Sequence, residues 1–266
     1  MPLDTVLLWL HLVTGVFLVG YALFWVIVSA PLEDRPDAEG PRSMRALLDE
    51  LRNAQWPPFG PVRLRLPHLG WLGLFGMLAT GLLMLRNVAS PPHAKYLAVA
   101  LAALAHIPLA RRPNRGHAIR FLALLLVAIA FAVSGRPTYR ATLLSLHLFA
   151  IVLWLGHMFF WSFVVGPLCK RYEPAERRDE IRHASHRWGA LGGGALLVLA
   201  LTGTMMLVDR GGDVPGVFHA KLTLVGGMVV YQMVVGHRRA PRLIYLNMLA
   251  ALVILFLSIV LVHGVR

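Results

Sequence analysis

Four histidines in this chain form two pairs with matching sequence surroundings. His11 and His147 each stand in a Leu-x-Leu-His-Leu segment, and His93 and His219 each begin a His-Ala-Lys triplet. A lone histidine in a membrane helix more often only hydrogen-bonds a neighbouring helix, so the recurrence is what favours a ligand role here. Two imidazoles from two helices at the same depth can supply both axial ligands of a b-type haem. The pattern predicts one or two haem b sites.

Two lysines accompany the second pair of histidines. Only three of the 26 basic residues are lysines, and Lys95 and Lys221 close the two His-Ala-Lys triplets. On a regular helix, each lysine would point about 200° away from the histidine two residues before it. Each would then reach the outer interface and either meet a propionate, a quinone or a lipid headgroup, or serve only as an anchor there. We predict that Lys95 and Lys221 contribute to cofactor binding.

Two methionines leave copper open as an alternative to haem. Met84 and Met206 stand near the outer ends of two apolar segments, each four residues after the threonine of a Thr-Gly pair. A thioether beside imidazoles suits Cu(I) as well as haem iron, although methionine in an apolar helix usually serves packing. The alternative metal site consists of six residues: His11, His93, His147, His219, Met84 and Met206.

The elements that carry these residues are membrane helices. The chain has 266 residues, of which 57% are hydrophobic and 15% charged, a composition that excludes a soluble enzyme. Apolar runs long enough to cross a bilayer predict eight transmembrane helices. They cover residues 5–30, 68–85, 94–110, 119–135, 141–166, 188–208, 217–236 and 243–262.

The basic residues predict the orientation of these helices. Of the 26 lysines and arginines, 19 fall in the alternate loops 31–67, 111–120, 169–187 and 237–242. The positive-inside rule therefore places these loops in the cytoplasm and both termini outside. We expect the membrane to be a bacterial inner membrane. The net charge of +13 is then topological, and no nucleic-acid partner is required. Residues 44–51 also show the spacing of a short amphipathic helix on the cytoplasmic surface.

The chain contains an internal repeat. Residues 7–32 and 143–168 are identical at 12 of 26 positions, and Thr80-Gly81 matches Thr202-Gly203 further on. We therefore predict two tandem four-helix units, residues 1–140 and 141–266. Because four spans return the chain to its starting side, the two bundles are expected to be parallel. His106 and His157 lie deeper in their spans and have no histidine counterpart in the other unit.

These motifs resemble the superfamily that contains copper-resistance protein D (CopD) and the HemJ-type protoporphyrinogen oxidases. The resemblance rests on residues 143–148, 202–203 and 219–222, with a less complete copy in the first unit. HemJ-type proteins resemble one unit alone, and the likeness implies haem b with roles for His11 or His147 and for Lys95 or Lys221. CopD-type proteins have eight spans and handle copper, which suits the length of this chain.

The function expected from these observations is redox chemistry in a membrane. We predict a haem b-binding electron-transfer subunit with its sites near the outer face, working with a periplasmic or membrane partner protein or with quinone. The alternatives are CopD-like copper transport or resistance, and a structural membrane anchor. The single cysteine, Cys169, excludes a CxxCH haem attachment and a cysteine-ligated iron–sulfur cluster within one chain.

Overall fold

The structure, a computed structural model, describes residues 3–33, 55–56, 64–86, 93–112, 114–134, 138–162, 178–209, 216–235, 246 and 249–258. Its helices are α1 (Leu3–Glu33), α2 (Leu66–Arg86), α3 (His93–Arg111), α4 (Arg115–Ser134), α5 (Tyr139–Phe160), α6 (Arg178–Asp209), α7 (Gly216–Val235) and α8 (Leu249–Ser258). Two strands of two residues each, β1 (Gln55–Trp56) and β2 (Leu64–Arg65), pair antiparallel before α2. The predicted all-α fold class is confirmed.

Every predicted apolar segment contains a helix, but the helices differ in length. Within the described residues, three stretches are long and apolar enough to cross a membrane: Val6–Ile27, Tyr139–Phe160 and Arg187–Asp209. Shorter apolar stretches lie at His68–Met84, Tyr96–Arg111, Phe218–Val230 and Leu249–Ser258. The amphipathic helix predicted at residues 44–51 lies outside the described residues.

Local polar signals mark where two of the helices begin. Thr138 has an extended backbone before α5, and its hydroxyl accepts a hydrogen bond from the amide of Ala141 at 3.3 Å. Asn114 precedes α4, and its side-chain oxygen accepts from the amide of His117 at 2.8 Å. Both side chains satisfy amide groups that have no partner within the first turn of a helix.

Helix α1 is the centre of the fold. It packs against α2, α4 and α5, and makes a smaller contact with α6. From Leu18 to Trp25 every described side chain on α1 is buried, so these two turns of the helix are covered on all sides. Such enclosure explains why the segment is apolar around its whole circumference.

Helices α1 and α5 cross at a pair of glycines that the repeat aligns. A Cβ atom on Gly20 would lie 2.6 Å from the carbonyl oxygen of Gly156, and one on Gly156 would lie 2.7 Å from the carbonyl oxygen of Val16. Further along, the rings of Phe24 and Phe160 are 5.6 Å apart. Contacts that advance along both helices together show that α1 and α5 are parallel, and the absence of side chains at the glycines lets the backbones touch.

The helices that carry the repeated histidines each pair with an antiparallel neighbour, and we call these pairs the two hairpins. Helix α2 returns along α1, and α6 returns along α5. At the open end of the second hairpin, the Arg140 guanidinium forms a salt bridge of 2.7 Å with Asp209. Because Arg140 is largely exposed, this pair adds little stability.

Candidate functional site

The same histidine–threonine hydrogen bond occurs in both hairpins. His11 on α1 bonds through Nδ1 to the Thr80 hydroxyl on α2 at 3.0 Å. His147 on α5 bonds through Nδ1 to the Thr202 hydroxyl on α6 at 2.8 Å. The repeat aligns both histidines and both threonines. We call these two pairs the His–Thr sites.

The threonines determine which histidine nitrogen carries the proton. Each hydroxyl donates its one hydrogen within its own helix, from Thr80 to the Gly76 carbonyl and from Thr202 to the Val198 carbonyl, both at 2.7 Å. Toward the imidazole, the hydroxyl oxygen can therefore only accept, so Nδ1 donates. The lone pair of each neutral ring then resides on Nε2, the nitrogen that is left for a metal or another donor.

A second matched contact lies deeper in each hairpin. A Cβ on Gly70 would lie 2.8 Å from the ring of Tyr21, and one on Gly192 would lie 2.6 Å from the ring of His157. Gly70 and Gly192 are 122 positions apart, the same offset as Thr80 and Thr202. The two hairpins thus share a histidine–threonine contact at one level and a ring-on-glycine contact at another.

The surroundings of the second His–Thr site include a cation. His147 is half-buried, and its Cε1 would be 3.4 Å from a Cβ on Gly203. The Lys221 ammonium of α7 is also half-buried and lies within electrostatic range of the imidazole. Of the residues predicted for cofactor binding, His147 and Lys221 thus act on each other electrostatically, while their joint role in holding a cofactor stays a prediction.

The other two predicted histidines lie in more open positions. His93 and His219 occupy the first turns of α3 and α7, and both side chains are exposed. Among the described residues, no hydrogen bond or ring contact joins His93 to His11 or His219 to His147. The predicted pairing of axial ligands within each unit thus remains a prediction.

The remaining predicted residues differ in how much the structure says of them. The Lys95 side chain lies outside the described part of the chain. Met84 and Met206 are half-buried, four residues after Thr80 and Thr202. Side chains four residues apart share a helix face, so each methionine is on the face that meets its histidine.

Two deeper histidines have ring nitrogens without a hydrogen-bond partner in the part of the chain that the structure describes. His106 is fully buried, and its Nε2 donates to the Gly70 carbonyl at 3.0 Å, while its Nδ1 has no hydrogen-bond partner among the described residues. Both ring nitrogens of His157 also have none there. The Trp188 indole lies against the His157 ring at a tilt of 30°, with 5.3 Å between the ring centroids, and donates a hydrogen bond to the His157 carbonyl oxygen at 3.1 Å.

The threonines are the site residues that sequence reasoning missed. In the sequence, Thr80 and Thr202 are evidence for the repeat and, at residues 202–203, for the resemblance, but not for a site. A signal was present, because a polar residue repeated within an apolar span requires a hydrogen-bond partner. Pairing each threonine with a histidine required knowing which helices are neighbours.

Comparisons of the chain with protein-family models, with curated proteins and with solved structures found no match. In the described residues, no group of three or more histidine, cysteine, aspartate or glutamate side chains could hold a metal ion together.

Proposed function

We propose that this protein is a haem b-binding redox protein of the bacterial inner membrane. In this proposal the eight helices are transmembrane, form the two tandem units 1–140 and 141–266, and leave both termini outside. The His–Thr sites lie near the outer face and serve electron exchange with a periplasmic or membrane partner protein or with quinone. The resemblance to the CopD and HemJ superfamily supports this assignment.

One observation carries the proposal: both repeats anchor a half-buried histidine through Nδ1. Ligand histidines typically donate their other ring nitrogen to a protein acceptor, which fixes the tautomer and the orientation of the ring. His11 and His147 meet this requirement through Thr80 and Thr202. In each site, Nε2 of the imidazole would be the atom available to bind haem iron.

A bound haem would supply one-electron chemistry. The residues of the chain would hold and orient it: Nε2 of His11 or His147 as a ligand, with the exposed His93 or His219 as the proposed second ligand. The Lys221 ammonium, which is within electrostatic range of His147, would offer a cation for a propionate carboxylate, and Lys95 is the corresponding residue of the first unit.

Copper transport or resistance is the second candidate. The observation that favours it is the position of Met84 and Met206 on the helix faces that carry Thr80 and Thr202. A thioether and an imidazole nitrogen together suit Cu(I). In this case the same Nε2 atoms would bind copper.

A visible spectrum of the detergent-purified protein tests the proposal. The protein is expressed with ample haem, and spectra of the oxidised and dithionite-reduced forms are recorded with pyridine haemochrome and metal analysis on the same sample. We expect a Soret band and a reduced b-type α-band that disappear in the double variant His11→Ala/His147→Ala.

The control is His117→Ala, which removes a histidine that bonds the Arg112 carbonyl far along the chain from both sites. This variant is expected to keep the wild-type spectrum. A featureless spectrum of folded, haem-replete wild-type protein would overturn the haem assignment. The second candidate, copper transport or resistance, would be established if that sample contained stoichiometric copper. This copper should be lost in His11→Ala/His147→Ala or in Met84→Leu and Met206→Leu.

A further inference from the structure

The positions of the two His–Thr sites follow from the crossing of α1 and α5. His11 precedes Gly20 by nine residues, and His147 precedes Gly156 by nine residues. The two glycines meet where the helices cross. Nine residues correspond to about 13.5 Å along a helix axis, so both histidines lie the same distance from the crossing.

The parallel direction of the helices places both sites on one side. Gly156 contacts the carbonyl of Val16, and the Phe160 ring contacts that of Phe24, so α1 and α5 advance together. Both histidines therefore lie before the crossing in the same direction. An antiparallel pair would have put them at opposite ends.

The helical phase places the two sites on opposite flanks. Nine residues are about two and a half turns, so each histidine faces away from the side of its helix that carries the glycine. The hydrogen bonds agree with this phase, because His11 faces α2 and His147 faces α6. With helix axes about 8–10 Å apart and side chains extending about 5–6 Å from each axis, the sites are separated by on the order of 20 Å.

We infer that the chain holds two separate cofactor sites, at equal depth on one side of the membrane and on opposite flanks of the α1–α5 pair, each taking its own haem. This inference rests on the proposed function and adds the stoichiometry. No haem is shared between His11 and His147, because a single iron cannot reach both across the helix pair.

Haem content of single variants tests the stoichiometry. We expect two haems per wild-type chain, about one in His11→Ala, about one in His147→Ala and none in the double variant. Loss of all haem in either folded single variant would show a shared haem and overturn the inference, while the haem function itself would stand. Absence of haem from the wild type would overturn both proposals.

Spin labels test the geometry without any cofactor. Leu10 and Leu146 are equivalent in the repeat, directly precede the two histidines and are both exposed. We would replace Cys169 by serine, introduce Leu10→Cys and Leu146→Cys singly, and measure the depth of each label in a bilayer by power saturation. The two depths are expected to agree within one helical turn, about 5 Å.

A label at Leu197, which is also exposed, provides the comparison. It precedes Thr202, which lies at the level of His147, by five residues, and is therefore expected about 7.5 Å deeper in the membrane than that level. The inference would be overturned if the depths of the labels at positions 10 and 146 differed from each other by more than either differs from the depth of the label at position 197. So would labelling of the two cysteines from opposite sides by a membrane-impermeant thiol reagent.

Discussion

At the scale of single residues, the choice of threonine as the histidine's partner has a physical reason. Carboxylates commonly orient ligand histidines in soluble proteins, but an ionised side chain is costly inside a bilayer. A hydroxyl whose hydrogen already goes to the carbonyl of its own helix accepts a hydrogen bond without bringing a charge. Thr80 and Thr202 therefore fix the rings of His11 and His147 at low cost.

Replacing the threonine hydroxyl should alter the histidine tautomer. In Thr202→Val the Nδ1 proton of His147 loses its acceptor, so we expect the ring to become a mixture of tautomers. Histidine ¹⁵N NMR of the labelled protein measures this directly. We expect an Nδ1–H signal in the wild type, its loss or averaging in Thr202→Val, and its return in Thr202→Ser.

The control for this experiment is Thr142→Val. Thr142 is exposed on α5 and its hydroxyl donates only to the Thr138 carbonyl. Its removal is expected to leave the His147 signal unchanged. An unaltered tautomer in Thr202→Val would show that the threonine does not set the proton position.

His106 gives a second prediction at this scale. Replacement by leucine removes one hydrogen bond to the Gly70 carbonyl, at a cost of about 0.5–1.5 kcal/mol. It also removes the buried Nδ1 that has no partner among the described residues, which restores about 1–3 kcal/mol. His106→Leu is therefore expected to leave the thermal unfolding temperature in detergent unchanged or higher. A loss of stability above about 1.5 kcal/mol would contradict this account.

Residue types were predictable from the sequence, whereas their contacts were not. The repeat singled out His11 and His147 because an imidazole recurred at one position of an apolar pattern. Their bonds to Thr80 and Thr202 depend on which helices are neighbours and on the rotation of each helix. Neither property is fixed by the hydrophobic pattern, because all sides of these helices are apolar.

At the scale of elements, each hairpin packs through a glycine that accommodates a ring. Gly192 lies under the His157 ring, whereas its neighbour Gly193 has open space around its Cβ position. We expect Gly192→Ala to lower stability by about 1–3 kcal/mol through overpacking. Gly193→Ala should be neutral or slightly stabilising, because alanine favours the helix.

Thermal unfolding of both variants in the same detergent measures the difference. The comparison is direct because the two glycines are adjacent in α6 and differ only in what their Cβ would meet. Equal effects of the two substitutions would show that the ring-on-glycine contact does not hold α5 against α6.

Helix positions were predicted well because long apolar runs have few alternatives to a helix. The capping residues Thr138 and Asn114 add local signals at two helix starts. The packing order, with α1 in the centre, could not be obtained in this way. It depends on the contact between Gly20 and Gly156, and these two glycines are 136 positions apart in the sequence.

At the scale of the whole molecule, the proposed topology predicts which parts of the chain face each side. A phosphatase fused after Arg266 is expected to be active, since the enzyme works only outside the cytoplasm. A phosphatase inserted in the loop 111–120 is expected to be inactive, because this loop is predicted to be cytoplasmic. A fluorescent protein inserted in the same loop should fluoresce. An inactive phosphatase at the C-terminus, with the fusion protein present in the membrane, would contradict the eight-span topology.

The parallel crossing at Gly20 and Gly156 also bears on how such a chain could arise. Two identical subunits related by a two-fold axis along the membrane normal would present the same glycine to each other. In a homodimer of half-length chains with this crossing, each chain would carry one histidine and one threonine, so both sites would be complete. When the two copies are joined in one chain, the sequence of each half can change separately. Tyr21 and His157 are an example, because they are equivalent in the repeat and their different rings pack against the equivalent glycines Gly70 and Gly192.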